Sequence, residues 1–444
     1  MAKEGVGTVL KSAFAYTFYI LLYTLLLPLL LLRLLWRSRR APAYRQRWWQ
    51  RLGWVAAAPP GGIWLHAVSV GEVVAAAPLL RALQAQHLSL AITVTTTTPT
   101  GAARLRQLFG DILHKDTLHG GTLRSCYSPY DWPPALALFL SRIRPQLMVV
   151  METELWPVTI AACRLLDIPV VLANGRLSQN SAAGYARLSW LVEPMLRWLH
   201  VTAQHDSDGR RFLDLGLPPS QLQVTGSVKY DIAIDAAQRA AAAEQRQRFN
   251  TAEKSFVWIA ASTHAGEDEI ILSAHRQLLL QNPLALLVLV PRHPERFDAV
   301  AEKIAAADMR FSRRSRNSLE PDDSVFLLDS MGELPIFYGV CDIALVGGSL
   351  VSVGGHNCLE PAAWSKPVLS GPHVHNFAEI TADLRDIGAL QIVATADEIA
   401  AALQEAASHP DSAAAAGAAG ERLLQQRSGA TATQLAFINQ KLDG

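Results

Sequence analysis

The residues best placed to do chemistry lie in the run His66-Ala67-Val68-Ser69-Val70-Gly71-Glu72. The apolar stretch Gly61 to His66 predicts a strand, and Val73 to Leu83 predicts a helix. In an open parallel sheet, ligands sit beyond the carboxyl ends of the strands. The helix that follows turns its amide donors and its positive end toward the same place. Glu72 is therefore expected where a substrate sits, as a base, with Ser69 and Gly71 as candidate substrate contacts beside it. The competing reading is structural, because the first turn of a helix favours an acid whatever the protein does.

The second half of the chain has several loops of the same kind. Val346-Gly347-Gly348-Ser349 ends a predicted strand, Gly354-Gly355-His356-Asn357 follows, and Cys358-Leu359-Glu360-Pro361 opens a helix. Glycines at a strand end let backbone amides approach a phosphate, and Glu360 in the first turn can reach the hydroxyls of a ribose or sugar. Pro291-Arg292-His293-Pro294-Glu295-Arg296 follows another strand, with Arg292 as a natural phosphate clamp. Ser330-Met331-Gly332-Glu333-Leu334 sits at a further helix start, where backbone groups can hold the edge of a base. Three such loops on one sheet edge point to a shared ligand. Ser262 to Glu267 reads as a helix cap, and His264 is given no proton-transfer role.

In the first half, Met151-Glu152-Thr153-Glu154 carries two acids two residues apart. A metal would need a convergent histidine or a third aspartate, and none is apparent, so neither a metal nor a cofactor is expected. Arg176, in Asn174-Gly175-Arg176-Leu177-Ser178, and Lys229 are candidates to meet an anionic substrate, and Glu152 and Gly348 are further candidate substrate contacts. The chain has no Walker A motif, no GxSxG elbow, no HExxH, and no GxGxxG with a matching acid.

The elements that must position these residues alternate. Near-continuous apolar runs at 61–66, 88–97, 145–152, 168–174, 200–204 and 222–226 predict strands covered on both faces, with helices such as 181–199 between them. Residues 231–254 are rich in Ala, Gln and Arg and read as a helical connector. The pattern then restarts at 255–262, 284–291, 323–329, 342–348 and 366–371. Two α/β units are expected, over 37–230 and 255–444, with a cleft between them and terminal helices that can cross back to the first. At 444 residues the chain is long enough for two cores. Its formal net charge of +1 singles out no class of partner. Four scattered cysteines without CxxC spacing argue against a structural zinc or a disulfide framework.

Residues 1–36 read as a membrane anchor. Ala13 to Leu32 holds no charged residue, and its 20 positions match about 30 Å of hydrocarbon. From Arg33 to Arg51 there are seven arginines and no acid, interleaved with Trp36, Tyr44, Trp48 and Trp49. Aromatic rings favour the headgroup zone and basic side chains the anionic cytoplasmic leaflet. This bias predicts a single N-terminal signal anchor with the rest of the chain in the cytoplasm, and lipid phosphate explains the basic stripe better than nucleic acid does.

Taken together, the basic anchor, HAVSVGE, METELWP, NGRLS, VPRHPERF, SMGEL and GGSLVSVGGHNCLEPA resemble the 3-deoxy-D-manno-octulosonic acid (Kdo) transferases of lipopolysaccharide inner-core synthesis, over nearly the whole chain. One departure is His205-Asp206-Ser207-Asp208, where an HSE-like wording is expected. The resemblance implies a GT-B architecture of two Rossmann-like domains. It implies CMP-Kdo as donor, a lipid A precursor (lipid IVA) as acceptor, inversion at the anomeric carbon, and work at the cytoplasmic face of a bacterial inner membrane. Carried over by motif, Glu72 is the general base, and Pro291-Arg292, Met331-Gly332-Glu333 and Asn357 with Glu360 form the CMP site. Rival readings are a GT-B enzyme using a UDP-sugar, a nucleotide-sugar epimerase, and a membrane scaffold without activity.

Overall fold

The computed structural model describes residues 6–110, 112–113, 123–316 and 319–442. The ends of the expected anchor and second domain, residues 1–5 and 443–444, lie outside them. The chain forms two compact units, Met1–Asp231 with Ser428–Gly444, and Ile232–Arg427.

Unit 1 holds a seven-stranded sheet made of β1 (Gly62–His66), β2 (Ile92–Thr96), β3 (Leu123–Tyr127), β4 (Pro145–Met151), β5 (Val170–Gly175), β6 (Leu199–Ala203) and β7 (Leu222–Val224), in the order β3-β2-β1-β4-β5-β6-β7. Every pairing is parallel. Side chains alternate across a strand, so Ile63 and Leu65 of β1 enter one core and Trp64 the other. Helices cover both faces, which is why the strands are apolar along their whole length.

Unit 2 repeats the plan with β8 (Phe256–Thr263), β9 (Ala285–Pro291), β10 (Phe311–Arg313), β11 (Val325–Leu327), β12 (Ile343–Val346), β13 (Val368–Ser370) and β14 (Leu390–Ile392), ordered β10-β11-β9-β8-β12-β13-β14 and again all parallel. In both sheets the order reverses beside the first strand, between β1 and β4 and between β8 and β12. These are the switch points beside which open α/β sheets bind ligands.

Three strands escape the sequence reading: β3, β10 and β14. The helix expected over 181–199 is two, Gln179–Arg187 and Ser189–Leu196, and Leu199 opens β6 instead. The connector is a helix, Ala236–Thr251, started by a full capping box between Asp235 and Gln238. It belongs to unit 2, where Phe249 stacks edge-on against Phe326. The last helix, Ala430–Leu442, belongs to unit 1 and buries Phe437 and Ile438 in the core cluster that contains Leu79, Leu80 and Leu83.

The N-terminal helix α1 spans Val6–Arg40. Its segment Phe14–Arg39 is long and apolar enough to cross a membrane. Tyr16, Tyr19 and Ile20 rest on the unit 1 core, and Trp132 Nε1 donates to Thr24 Oγ1 at 3.1 Å. Leu21, Leu25, Leu29 and Leu32 are exposed. Such a stripe of large apolar side chains needs an apolar neighbour.

Candidate active-site residues in each unit

The turn after β1 places Glu72. Ser69 is the N-cap of helix α2 (Val70–Gln86), and Glu72 is the third residue inside it. Ser69 Oγ accepts from Glu72 N at 3.3 Å and donates to Glu72 Oε1 at 2.9 Å, while Val68 N donates to Oε2 at 2.8 Å. This is a Ser-x-x-Glu cap closed by the carboxyl group, and it fixes the carboxyl's rotamer. The Glu72 side chain is only 8% exposed. Burial pushes its carboxyl up to about 7, against the two hydrogen bonds, and the carboxylates of Glu154 and Glu152 push it further. A carboxyl poised near neutrality has the pKa that suits a general base. Gly71 is exposed, and a Cβ there would meet nothing closer than Ser69 Oγ at 3.8 Å.

Neighbouring strand ends bring the other expected residues of unit 1 to the same edge. Glu152 leaves β4 with φ +60 and lies 3.7 Å from Lys229 Nζ. Glu154 accepts from Trp156 Nε1 at 3.0 Å, and burial raises its carboxyl too. Asn174, fully buried with φ +54, accepts from Val228 N at 3.2 Å and so fixes the turn that carries Lys229. Arg176 is exposed, and its backbone N–H reaches Glu152 O at 3.4 Å. Asp208 acquires a role that the sequence did not reveal: it accepts from Leu177 N at 2.9 Å and pairs with Arg211, holding the Asn174–Ser178 loop. Among the described residues, no group of three His, Cys, Asp or Glu side chains is arranged to hold a metal.

In unit 2 the loops differ from the expectation at two points. The first concerns the amides after β12. Gly348 N, Ser349 N and Leu350 N donate to the carboxylate of Glu267 at 2.8, 3.0 and 2.9 Å, and His264 N joins them at 2.8 Å. Glu267 is fully buried and makes no side-chain cap for its own helix, Asp268–Gln281. The glycine loop is thus a nest whose anion is already built in, and its amides, that of Gly348 included, are not open to a phosphate. The second concerns Glu333, whose carboxylate is bound two-pronged by Arg314, at 2.7 Å to Oε1 and 3.1 Å to Oε2, and by Ser330. What remains open in that loop is backbone: Gly332 has φ +89 with nothing within 4 Å of a Cβ position, and Met331 is 49% exposed.

The remaining loops are held mainly through their backbone and caps. Pro291 ends β9, and Arg292, exposed, anchors its backbone N–H on Thr263 O at 3.0 Å. Asn357 Oδ1 caps the five-residue helix Leu359–Ala363 through Leu359 N at 3.1 Å, and Glu360 lies in its first turn. Arg296 and Lys303 pair with the fully buried Asp268, which fixes the Pro291–Arg296 turn to the start of the neighbouring helix.

Comparison with known proteins places the chain in a family. The family model described as 3-deoxy-D-manno-octulosonic-acid transferase (kdotransferase) matches residues 46–232. The chain is 41% identical to a 3-deoxy-D-manno-octulosonic acid transferase of Haemophilus influenzae, over 96% of this chain and 98% of that protein. It is 37% identical to the enzyme of the same name from Bordetella pertussis, over 80% and 83%. Among solved structures, a UDP-GlcNAc 2-epimerase from Neisseria meningitidis covers 86% of this chain, and 99% of its own is covered, with a TM-score of 0.52 at 14% identity, a likeness of fold alone. The fold is GT-B, two Rossmann-like sheets, and the chain belongs to the 3-deoxy-D-manno-octulosonic acid (Kdo) transferase family, which makes it a glycosyltransferase.

Proposed function

We propose that the protein transfers Kdo from CMP-Kdo to a hydroxyl of a lipid A precursor, lipid IVA, with inversion. Unit 1 supplies the base and unit 2 takes the nucleotide. The observation that carries this reading is Glu72: a rigidly oriented carboxyl held near pH 7 by burial and by two neighbouring acids. A sugar hydroxyl is a weak nucleophile until a base takes its proton, and a base is most effective when its pKa lies near the working pH. As CMP leaves, the anomeric carbon gains oxocarbenium character and the phosphate gains negative charge. Arg292, with the open backbone of Met331 and Gly332 and the Asn357–Glu360 helix start, is suited to hold that nucleotide. Lys229, Glu152, Arg176, Ser69 and Gly71 are suited to orient the acceptor. The helix α1 would keep the enzyme at the cytoplasmic face of the inner membrane, where a glycolipid acceptor stays.

The test is direct. Full-length protein in detergent, given CMP-Kdo and lipid IVA, should yield a product heavier by one or more Kdo units in the mass spectrum. Glu72→Ala should retain CMP binding while transfer drops by about 10² to 10⁴, the usual loss for a positioned base. Thermal protection by UDP and none by CMP, or near-normal turnover of Glu72→Ala, would refute the donor and the base respectively.

A further inference from the structure

Two histidines in unit 2 have no part in the reaction as described so far. His264 follows β8 and His356 follows the glycine loop after β12, and their Nε2 atoms are 2.9 Å apart across 92 residues of chain. The rings lie nearly parallel, with centroids 5.2 Å apart and planes 17° from each other. Two imidazole nitrogens at that distance share one hydrogen, donated by one ring and accepted by the other.

The surroundings maintain the pair. Glu267 grips His264 N and the amides of Gly348, Ser349 and Leu350, so one carboxylate locks both loops in register. Gly348 has φ +67, and a Cβ there would lie 3.0 Å from His356 Nε2, so only glycine leaves the ring its place. His293 stands edge-on to His264, at 5.3 Å between centroids.

The charges that face the pair are Glu267, Arg292, His293 and Arg296. Glu267 is committed to four amides, and Arg296 to Asp268. Among the described residues Arg292 has no carboxylate partner, and it is exposed. Both rings of the pair are only partly covered. The cluster therefore has donors and cationic capacity in excess of the anions the protein supplies to it. Burial, with Arg292 and the neighbouring imidazoles, brings His356 down to about 4 and lowers His264 as well. The pair is neutral at pH 7 until an anion arrives, and an anion reverses the sign of the effect.

We propose that His264 and His356, with Arg292, seat the nucleotide phosphate and take up one proton as it binds. This rests on the reading of unit 2 as the nucleotide-binding unit. In the transfer step the bond between the anomeric carbon and the phosphate oxygen breaks, and its electron pair stays on that oxygen. The bond from the acceptor oxygen to the anomeric carbon forms, and the acceptor's proton passes to Glu72. The protonated pair hydrogen-bonds the oxygen that has gained charge, and releases its proton when CMP departs.

Calorimetric titration of the full-length protein with CMP, at one pH near 7.5 in buffers of different ionisation heat, counts the protons exchanged. Wild type should take up a measurable fraction of one proton per CMP, and cytidine should give none. His356→Asn and His264→Asn should each abolish the uptake and weaken CMP by about tenfold or more, as expected for a lost charge-assisted hydrogen bond. CMP binding without proton uptake, or uptake unchanged in both folded variants, would overturn the proposal. So would uptake driven by free Kdo and not by CMP, which would give the pair to a carboxylate. Should wild type bind UDP and not CMP, the donor reading fails instead, and the same titration with UDP decides the histidine pair.

Discussion

Glu72→Gln should make the protein more stable and nearly inactive, and the gain should depend on pH in a defined way. The Glu72 carboxyl lies at about 7 in the folded protein, against 4.5 for an unperturbed one. Below pH 4.5 it is protonated in folded and unfolded chains alike. Between 4.5 and 7 the folded chain binds the proton more strongly, so its contribution to stability is lost as pH rises through that window. A shift of about 2.5 units corresponds to roughly 3 kcal/mol at about 1.36 kcal/mol per unit. Glutamine keeps the shape, can still accept from Val68 N and can exchange donor and acceptor roles with Ser69, yet it does not titrate. The variant and wild type should therefore be about equally stable at pH 4.5, and the variant should gain about 2–3 kcal/mol by pH 8. For a unit of some 250 residues this raises the midpoint of thermal unfolding by roughly 5–10 °C. The measurement is the difference in midpoint between the two proteins from pH 4.5 to 8, in which the titrations of groups not coupled to Glu72 cancel. A difference that does not change with pH, or a wild type more stable at pH 8, would show that the carboxyl is not held near neutrality.

The same carboxyl should set the acidic limb of the rate profile: kcat/KM should fall as pH drops below about 7. Glu152→Gln, which removes one of the acids that push Glu72 up, should move that limb to lower pH by a few tenths of a unit, as read from initial rates. Glu267→Gln should lower unit 2 stability by about 3 kcal/mol or more in urea, since several amides lose the carboxylate acceptor at a fully buried position. Ile438→Ala in the last helix should lower unit 1 stability by about 2–5 kcal/mol and leave the unit 2 transition in place, as followed by limited proteolysis.

What could be read in advance follows from how local each signal is. β1, β4 and β9 are central, covered on both faces, and apolar at nearly every position, so they stand out as strings of letters. β3 (LRSCY), β10 (FSR) and β14 (LQI) are edge strands of three to five residues with mixed polarity, too short for a period to show. The helix Ala236–Thr251 was legible as a helix from its composition, but its membership of unit 2 depends on Phe326 and Phe337, about 80 residues away. The placement of Glu72 was legible because a Ser-x-x-Glu cap lies within one turn. Its shifted carboxyl was not, because the burial that chiefly raises it comes from tertiary packing, and Glu154 and Glu152, which add to it, arrive from another strand. For the same reason the His-Ala-Gly-Glu stretch after β8 read as an ordinary cap, when its glutamate reaches across to fill a nest 80 residues on.

That filled nest changes where the chemistry of unit 2 must reside. A strand-end glycine loop commonly binds phosphate by leaving successive amides open. Here those amides are already taken up by the side chain of Glu267. Any response to a phosphate that gains charge during reaction has to come from groups that move or change protonation. Arg292 is exposed and without a carboxylate partner among the described residues, and the two histidines sit beside it. Glu267 is thus better understood as the residue that makes the loop rigid enough to hold His356 against His264 than as a competitor for the ligand. On the proposed reading each unit carries its own part of the proton chemistry. A carboxyl near 7 in unit 1 is suited to receive the proton that the acceptor loses, and a neutral imidazole pair in unit 2 is suited to meet the charge that the leaving group gains.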